Sequence, residues 1–132
     1  MTIKVRGLDH IVLRVRDAAA MERFYVDVLG LTVERRQERI GLTQLRAGAQ
    51  LLDLLAAHSL LDREGEPAPA PQGHNLDHLC LNVEDFDLAT VEAHLKAHGA
   101  AVGESGRRYG AGGFGVSIYL TDPEGNGLEL RG

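Results

Sequence analysis

Two histidines and two carboxylates in apolar segments are the residues of this sequence best suited to chemistry. Asp53 interrupts the leucines of residues 51–55, and Glu129 lies between two leucines. A carboxylate in an apolar strand must be paired, protonated or bound to a metal. His10 and His78 add neutral imidazole, the commonest transition-metal ligand. The four side chains form a mixed nitrogen and oxygen donor set suited to one divalent ion, Zn²⁺, Ni²⁺, Mn²⁺ or Fe²⁺.

An internal repeat relates these residues to one another. Residues 8–17 and 76–85 are identical at six of ten positions, at an offset of 68 residues, and His10 and His78 are equivalent within them. A match of this length does not arise readily by chance, and each copy opens a segment of the same pattern. The repeat therefore predicts two copies of one structural unit, each supplying one histidine and one carboxylate.

Each copy is predicted to begin with a strand and a helix. In the first strand Ile11, Leu13 and Val15 alternate with His10, Val12 and Arg14, so the histidine lies on the polar face. The helix that follows has a candidate N-cap and a candidate left-handed C-cap in each copy, at Asp17 and Gly30, then at Asp85 and Gly99. Three short strands are predicted after each helix, around 32–38, 41–47 and 49–56, and around 100–104, 114–120 and 127–131.

The boundary between the copies is marked by proline. Residues 58–75 contain Pro67, Pro69 and Pro71, three of the four prolines in the chain. Alternating proline favours an extended and stiff segment. This indicates a spacer between a first module, residues 1–57, and a second module, residues 76–132.

Composition limits the class of protein. The 132 residues, 44% hydrophobic and 25% charged, suit one globular domain. The net charge of −5 argues against nucleic-acid binding. The single cysteine excludes an intrachain disulfide, and no apolar run has membrane-spanning length. We therefore expect a cytoplasmic protein with no membrane partner.

Two motifs make the chain similar to a known family. The first combines His10, Asp17 and the segment FYVDVLGL at residues 24–31, and the second is DPEGNGLE at residues 122–129. Together they resemble the opening and closing patterns of the vicinal oxygen chelate superfamily. This superfamily includes glyoxalase I, fosfomycin-resistance enzymes, extradiol dioxygenases, methylmalonyl-CoA epimerase and bleomycin-resistance proteins. The resemblance covers nearly the whole chain.

The resemblance implies an α+β fold in which two βαβββ modules form an open, curved, mixed sheet around a central cavity. It also implies a ligand set. In glyoxalase I each module supplies one histidine and one carboxylate, which match His10, Asp53, His78 and Glu129. Fosfomycin-resistance enzymes and extradiol dioxygenases use three ligands, which match His10, His78 and Glu129. The carboxylate at Asp53 favours the glyoxalase-like branch, although Asp stands where glyoxalase I has Glu.

Further candidate residues concern the substrate. Arg14 matches an arginine that binds glutathione in glyoxalases, whereas Ala57 replaces an asparagine of that pattern. Ser117 and Tyr119 match positions of fosfomycin-resistance enzymes, and ordinary strand polarity is the alternative. The glycine-rich segment 107–115 suits a mobile lid that carries Arg107 or Arg108 towards an anionic substrate, or equally a plain hairpin.

The leading hypothesis is a metal-dependent isomerase or lyase of the glyoxalase type. Its small-molecule substrate, with a thiol conjugate among the candidates, would chelate the metal through two vicinal oxygens. Glu129 or Asp53 would act as the general base. The alternatives are a fosfomycin-resistance-type thiol transferase, an Fe²⁺ extradiol-type dioxygenase and a non-enzymatic drug-binding protein of the bleomycin-resistance kind. The resemblance also implies a homodimer, in which the stiff spacer favours a site shared between chains.

Overall fold

The structure, a computed structural model, describes residues 1–2, 4–57 and 76–132. The chain divides into two compact units, and each unit contains one of the two long described stretches. The proline-rich spacer predicted over 58–75 lies outside the described residues. Across the described ranges, no helix has the length and apolar character needed to cross a membrane.

The first unit is a four-stranded mixed sheet with one helical segment. Its strands are β1 (His10–Val15), β2 (Thr32–Gln37), β3 (Leu42–Ala47) and β4 (Gln50–Ala56). They lie in the order β1-β4-β3-β2, with β1 parallel to β4 and the other pairs antiparallel. Helix α1 (Ala18–Arg23) continues into a π-helical turn (Phe24–Val28), and a 3₁₀ turn (Glu38–Ile40) connects β2 to β3.

The second unit repeats this topology. It consists of β5 (Leu79–Asn82), α2 (Leu88–Ala97), β6 (Ala101–Gly110), β7 (Gly113–Thr121) and β8 (Gly127–Arg131). The sheet order is β5-β8-β7-β6, with β5 parallel to β8 and the other pairs antiparallel. The predicted α+β class and the paired βαβββ units are therefore confirmed. In both units the first and last strands are neighbours.

Alternation along β1 explains how the first core forms. Leu13 and Val15 are buried, as is Met21 of the helix, whereas Val12 on the other face of the strand is exposed. Helix α1 also contacts β4, where Leu54 is fully buried. The helix begins as predicted, because the Asp17 side chain accepts a hydrogen bond from the Ala20 backbone N–H at 3.0 Å.

The cap of the second helix differs from the prediction. Asp87, not Asp85, precedes α2 and accepts hydrogen bonds from the Thr90 backbone N–H at 3.0 Å and the Thr90 hydroxyl at 2.6 Å. Asp85 instead adopts a φ of 51° in the turn before the helix. An aspartate tolerates this left-handed conformation better than most residues do, so it serves the turn while the cap moves two residues along the chain.

The glycine-rich segment forms a hairpin. Strand β6 continues to Gly110 and β7 begins at Gly113, so both strands are longer than the sequence predicted. The segment therefore forms a β-hairpin, and its movement as a lid stays a prediction. Its turn is Ala111 and Gly112.

Candidate functional site

Strand register brings His10 and Asp53 to one face of the first sheet. Val12 is the parallel partner of Asp53, and Arg14 is the partner of Leu55. Directly paired residues of neighbouring strands share a face, and residues two apart along a strand share it as well. His10, Arg14 and Asp53 therefore lie on the face opposite the helix, as the alternation predicted.

Asp53 is the most unusual residue of this face. It is only 3% exposed, and its Oδ2 accepts one hydrogen bond from the Gln44 amide at 3.2 Å. Its Oδ1 is buried with no hydrogen-bond partner among the described residues. A buried carboxylate oxygen without a partner is costly unless a cation or a donor satisfies it.

His10 is held by its neighbour in the chain. Its Nδ1 lies 2.7 Å from the Asp9 carboxylate, and its side chain is 48% exposed. The hydrogen bond to Asp9 raises the pKa of His10, and the charges of Asp53 and Asp9 add to the rise against the opposing effect of desolvation. A carboxylate only accepts, so Nδ1 carries the proton of the neutral ring and the Nε2 lone pair remains available to a ligand.

The second unit holds its carboxylate through two partners. Glu129 is 6% exposed, and its Oε1 accepts a hydrogen bond from the buried Ser117 hydroxyl at 2.5 Å. Its Oε2 lies 3.1 Å from Nε2 of His78. Register explains the grouping, because Glu129 on β8 is paired with Cys80 on β5 and with Tyr119 on β7.

His78 repeats the arrangement seen at His10. Its Nδ1 lies 2.6 Å from the Asp77 carboxylate, which is the largest cause of its raised pKa. The rings of His78 and Tyr119 pack in a T-shaped arrangement, with centroids 5.6 Å apart. Sequence reasoning missed both Asp9 and Asp77, although the signal was present, because the Asp-His pair recurs in the two copies of the repeat.

The arginines of the hairpin divide between the two faces of the second sheet. Arg107 is paired with Val116, on the face opposite Ser117, and its guanidinium lies 4.0 Å from the Phe114 ring centroid. The structure therefore does not bring Arg107 to Glu129. Arg108, one residue later, lies on the Glu129 face, 5.5 Å from the Tyr119 ring centroid, and forms a salt bridge with Glu104 at 3.2 Å.

Cys80 lies on the same face as Glu129. Its side chain is exposed. Partial desolvation raises the pKa of the thiol to about 11, and the Glu129 carboxylate adds to the rise. A thiol in this state is a poor nucleophile near neutral pH.

The predicted metal ligands thus occur as two pairs, one in each unit. No group of three or more candidate ligands lies together among the residues that the structure describes. Within each pair the chemistry suits a divalent cation. Asp53 Oδ1, which has no partner within residues 4–57 and 76–132, would gain a charge partner. Nε2 of His78 and Oε2 of Glu129 are neighbouring donors of the kinds that zinc, nickel, manganese and iron accept.

Comparison with known proteins agrees with the fold. The sequence profile of the Glyoxalase/Bleomycin resistance protein/Dioxygenase superfamily matches residues 7–130. The glyoxalase domain-containing protein RDO1 of Mycosarcoma maydis is 36% identical over 130 residues, 97% of this chain and 69% of that protein. The glutathione transferase FosA of Serratia marcescens is 28% identical over 129 residues, 96% of this chain and 81% of that protein.

A solved structure matches over nearly the full length. An integron cassette protein from the mobile metagenome of V. cholerae superposes with a TM-score of 0.80 at 28% identity. The match covers 99% of this chain and 98% of that chain.

Proposed function

Because the chain belongs to the Glyoxalase/Bleomycin resistance protein/Dioxygenase superfamily, we propose that it is a metal-dependent isomerase or lyase of the glyoxalase type. Members of the superfamily typically depend on divalent metals and act on small molecules, thiol conjugates included. The proposed substrate is a small molecule with two vicinal oxygens. His10, Asp53, His78 and Glu129 would hold the ion, which when bound supplies Lewis-acid stabilisation of charge on the substrate oxygens.

The observation that carries this proposal is the buried, incompletely satisfied carboxylate in the first unit. Asp53 Oδ1 is enclosed without a donor among the described residues, and its other oxygen has only the Gln44 amide. A purely structural aspartate at this depth would be fully hydrogen-bonded. A role as a cation ligand accounts for the unused oxygen, and it favours the four-ligand glyoxalase pattern over the three-ligand patterns.

Glu129 is the proposed general base. Glu129 is buried, and the Ser117 hydroxyl donates to Oε1 and fixes its orientation. A positioned carboxylate can accept a proton from the carbon next to a substrate carbonyl. Ser117 acts as a positioning residue here, since it reaches the reaction only through Glu129.

The experiment that tests the metal site compares histidine variants of the full chain, purified without chelator. Metal content is measured for His10→Ala, His78→Ala and the control His94→Ala, whose exposed side chain lies on α2. We expect His10→Ala and His78→Ala to lose stoichiometric metal while His94→Ala retains it. Equal metal content in all three variants would show the ligand assignment to be wrong.

A second candidate function is thiol transfer of the fosfomycin-resistance kind. The Ser117–Glu129 hydrogen bond and the contact of Tyr119 with His78 favour it, since both residues match that pattern. Similarity to the glutathione transferase FosA supports it as well. The two candidates differ at Asp53, because Asp53→Ala should abolish a four-ligand isomerase and leave a three-ligand transferase active. Assays with methylglyoxal and glutathione, with fosfomycin and with catechols would separate these activities from that of a dioxygenase.

A further inference from the structure

Arg131 is a buried cation that the proposed chemistry does not use. The residue is 7% exposed and follows Glu129 by two positions on β8, so both side chains lie on the same face of the second sheet. With a strand rise of about 3.3 Å per residue, their Cα atoms are roughly 6.6 Å apart. The side chain therefore belongs to the same surface as the candidate site.

Two glycines of the hairpin, Gly110 and Gly115, make room for this side chain, and the carbonyl of a third, Gly113, accepts a hydrogen bond from it. The Arg131 Nη2 donates to the Gly113 carbonyl at 2.8 Å. A Cβ at Gly110 would overlap Nη1, and a Cβ at Gly115 would lie 2.6 Å from Nη2. Gly112, at the hairpin turn, has no neighbour within 4 Å of such a Cβ. The glycine-rich hairpin therefore forms a groove that holds the Arg131 guanidinium. This groove at Gly110, Gly113 and Gly115 is called the glycine trough below.

The Arg131 guanidinium has more N–H donors than hydrogen-bond acceptors to receive them. It carries five N–H groups, of which the Gly113 carbonyl accepts one. Arg131 forms no salt bridge with any carboxylate of the described residues. Among the described residues only Asp53 Oδ1 is fully enclosed without a partner, so the other Arg131 N–H groups reach solvent and are open to a ligand.

We propose that Arg131 binds an oxyanion, a carboxylate or phosphate-type group carried by the substrate. The planar fork of an arginine suits both groups, because it donates two parallel hydrogen bonds to a pair of oxygens. The proposal deepens the proposed function and rests on it. It makes the substrate a small anion, whose charged group would lie further along β8 than the substrate oxygens that chelate the metal. Arg131 is then a specificity-determining residue.

The test follows the binding of small anions to the full-length protein by NMR. The ¹⁵N-labelled chain is titrated with inorganic phosphate in one arm and with acetate in the other, each as purified and after chelator treatment. The readouts are the Nε–Hε resonance of Arg131, assigned by its absence in Arg131→Lys, and the backbone amide of Gly113. We expect a saturable shift in at least one arm, with and without chelator. The arm that responds more strongly identifies the group as phosphate-like or carboxylate-like.

Matched variants isolate the trough. Arg131→Gln should weaken anion binding about tenfold or more, as expected for loss of a charge-assisted hydrogen bond. Arg39→Gln, which removes an exposed positive charge from the first unit, should leave it unchanged. Gly115→Ala should weaken binding by displacing the guanidinium, whereas Gly112→Ala in the open turn should not. Gly115→Ala and Arg131→Lys keep the test valid if Arg131→Gln does not fold.

Two outcomes would overturn the proposal. One is the absence of a saturable shift in both arms. The other is equal binding in wild type, Arg131→Gln and Gly115→Ala, which would place the anion elsewhere.

A failure of the proposed function can be distinguished from a failure of this inference. A chain that binds anions through Arg131 but neither holds metal nor turns over any substrate would contradict only the enzyme, whereas Arg131-independent binding in an active metalloenzyme would contradict only this inference.

Discussion

At the scale of single residues, the Asp-His pair is the smallest feature that recurs in both units. In each copy the aspartate precedes the histidine and binds its Nδ1, at 2.7 Å for Asp9 and 2.6 Å for Asp77. Such a carboxylate fixes the tautomer of a ligand histidine and raises the basicity of its other nitrogen. The duplication thus preserves the orientation of the imidazole as well as its position.

This gives a prediction for metal affinity. Asp9→Asn and Asp77→Asn should each weaken metal binding by about 10–100-fold, the usual effect of removing a partner of a ligand histidine. Competition with a coloured chelator measures the affinity. Asp27→Asn, on the π-helical turn of the first unit, removes the same charge as a control. Unchanged affinity in both pair variants would mean that the aspartates do not orient metal ligands.

Glu129 supports a second prediction at this scale. Glu129→Gln keeps the size and one coordinating oxygen but loses the basicity, so turnover should fall by about 10²–10⁴-fold once a substrate is found. Steady-state kinetics give the value, and Glu104→Gln on the exposed part of β6 serves as the charge-matched control. Full turnover in Glu129→Gln would assign the proton transfer to another residue.

At the scale of elements, the cap of α2 links stability to pH. Hydrogen bonds from the Thr90 hydroxyl and backbone N–H lower the pKa of Asp87. A carboxylate whose folded pKa is lowered stabilises the fold above its unfolded pKa of about 3.9, and this contribution is lost as the pH falls through the folded pKa.

Asp87→Ala should therefore lower the melting temperature at pH 7. The deficit relative to wild type should shrink as the pH falls below about 4, because the wild-type carboxylate then becomes protonated. Thermal melts followed by circular dichroism across pH 2–7 test this. Glu84→Ala, an exposed acidic residue in the turn before α2, should show no comparable deficit. A deficit that stays constant across that range would refute the charged cap.

The sequence predicts some features of the strands and helices correctly and others wrongly. Alternation in β1 and the ten-residue repeat were sufficient to predict the paired units and the face that carries His10, since both depend on local periodicity. The cap of α2 was misplaced, because Asp85 and Asp87 have equal propensity and only the backbone turn at Asp85 decides between them. The role of Arg131 was not visible, because it depends on glycines 16 to 21 positions earlier that register brings alongside it.

At the scale of the whole molecule, we propose a two-fold dimer in which His10 and Asp53 of one chain face His78 and Glu129 of the other. Each unit supplies one of the two proposed histidine ligands and one of the two proposed carboxylate ligands, and each four-stranded sheet has edge strands. The sequence pattern of prolines at 67, 69 and 71 gave the expectation of a site shared between chains, and the dimer proposal retains it.

Complementation tests this arrangement. His10→Ala and His78→Ala chains are mixed under conditions that allow subunit exchange. A heterodimer would contain one site without histidines and one intact site, so metal binding should partly return. If each chain builds its own site, every site lacks one histidine and mixing restores nothing. A monomer at micromolar concentration would also contradict the dimer, while the ligand assignment would stand.

The turn between β6 and β7 has a consequence for how relatives of this protein can diverge. Along β8 a single inserted residue would reverse the orientation of Glu129 or Arg131, because successive side chains of a strand point to opposite faces. Ala111 and Gly112 are exposed and meet no such restriction. The length of this turn can therefore vary among relatives, even though it lies beside the glycine trough. Strand β8, which carries Glu129, tolerates substitutions but not insertions or deletions.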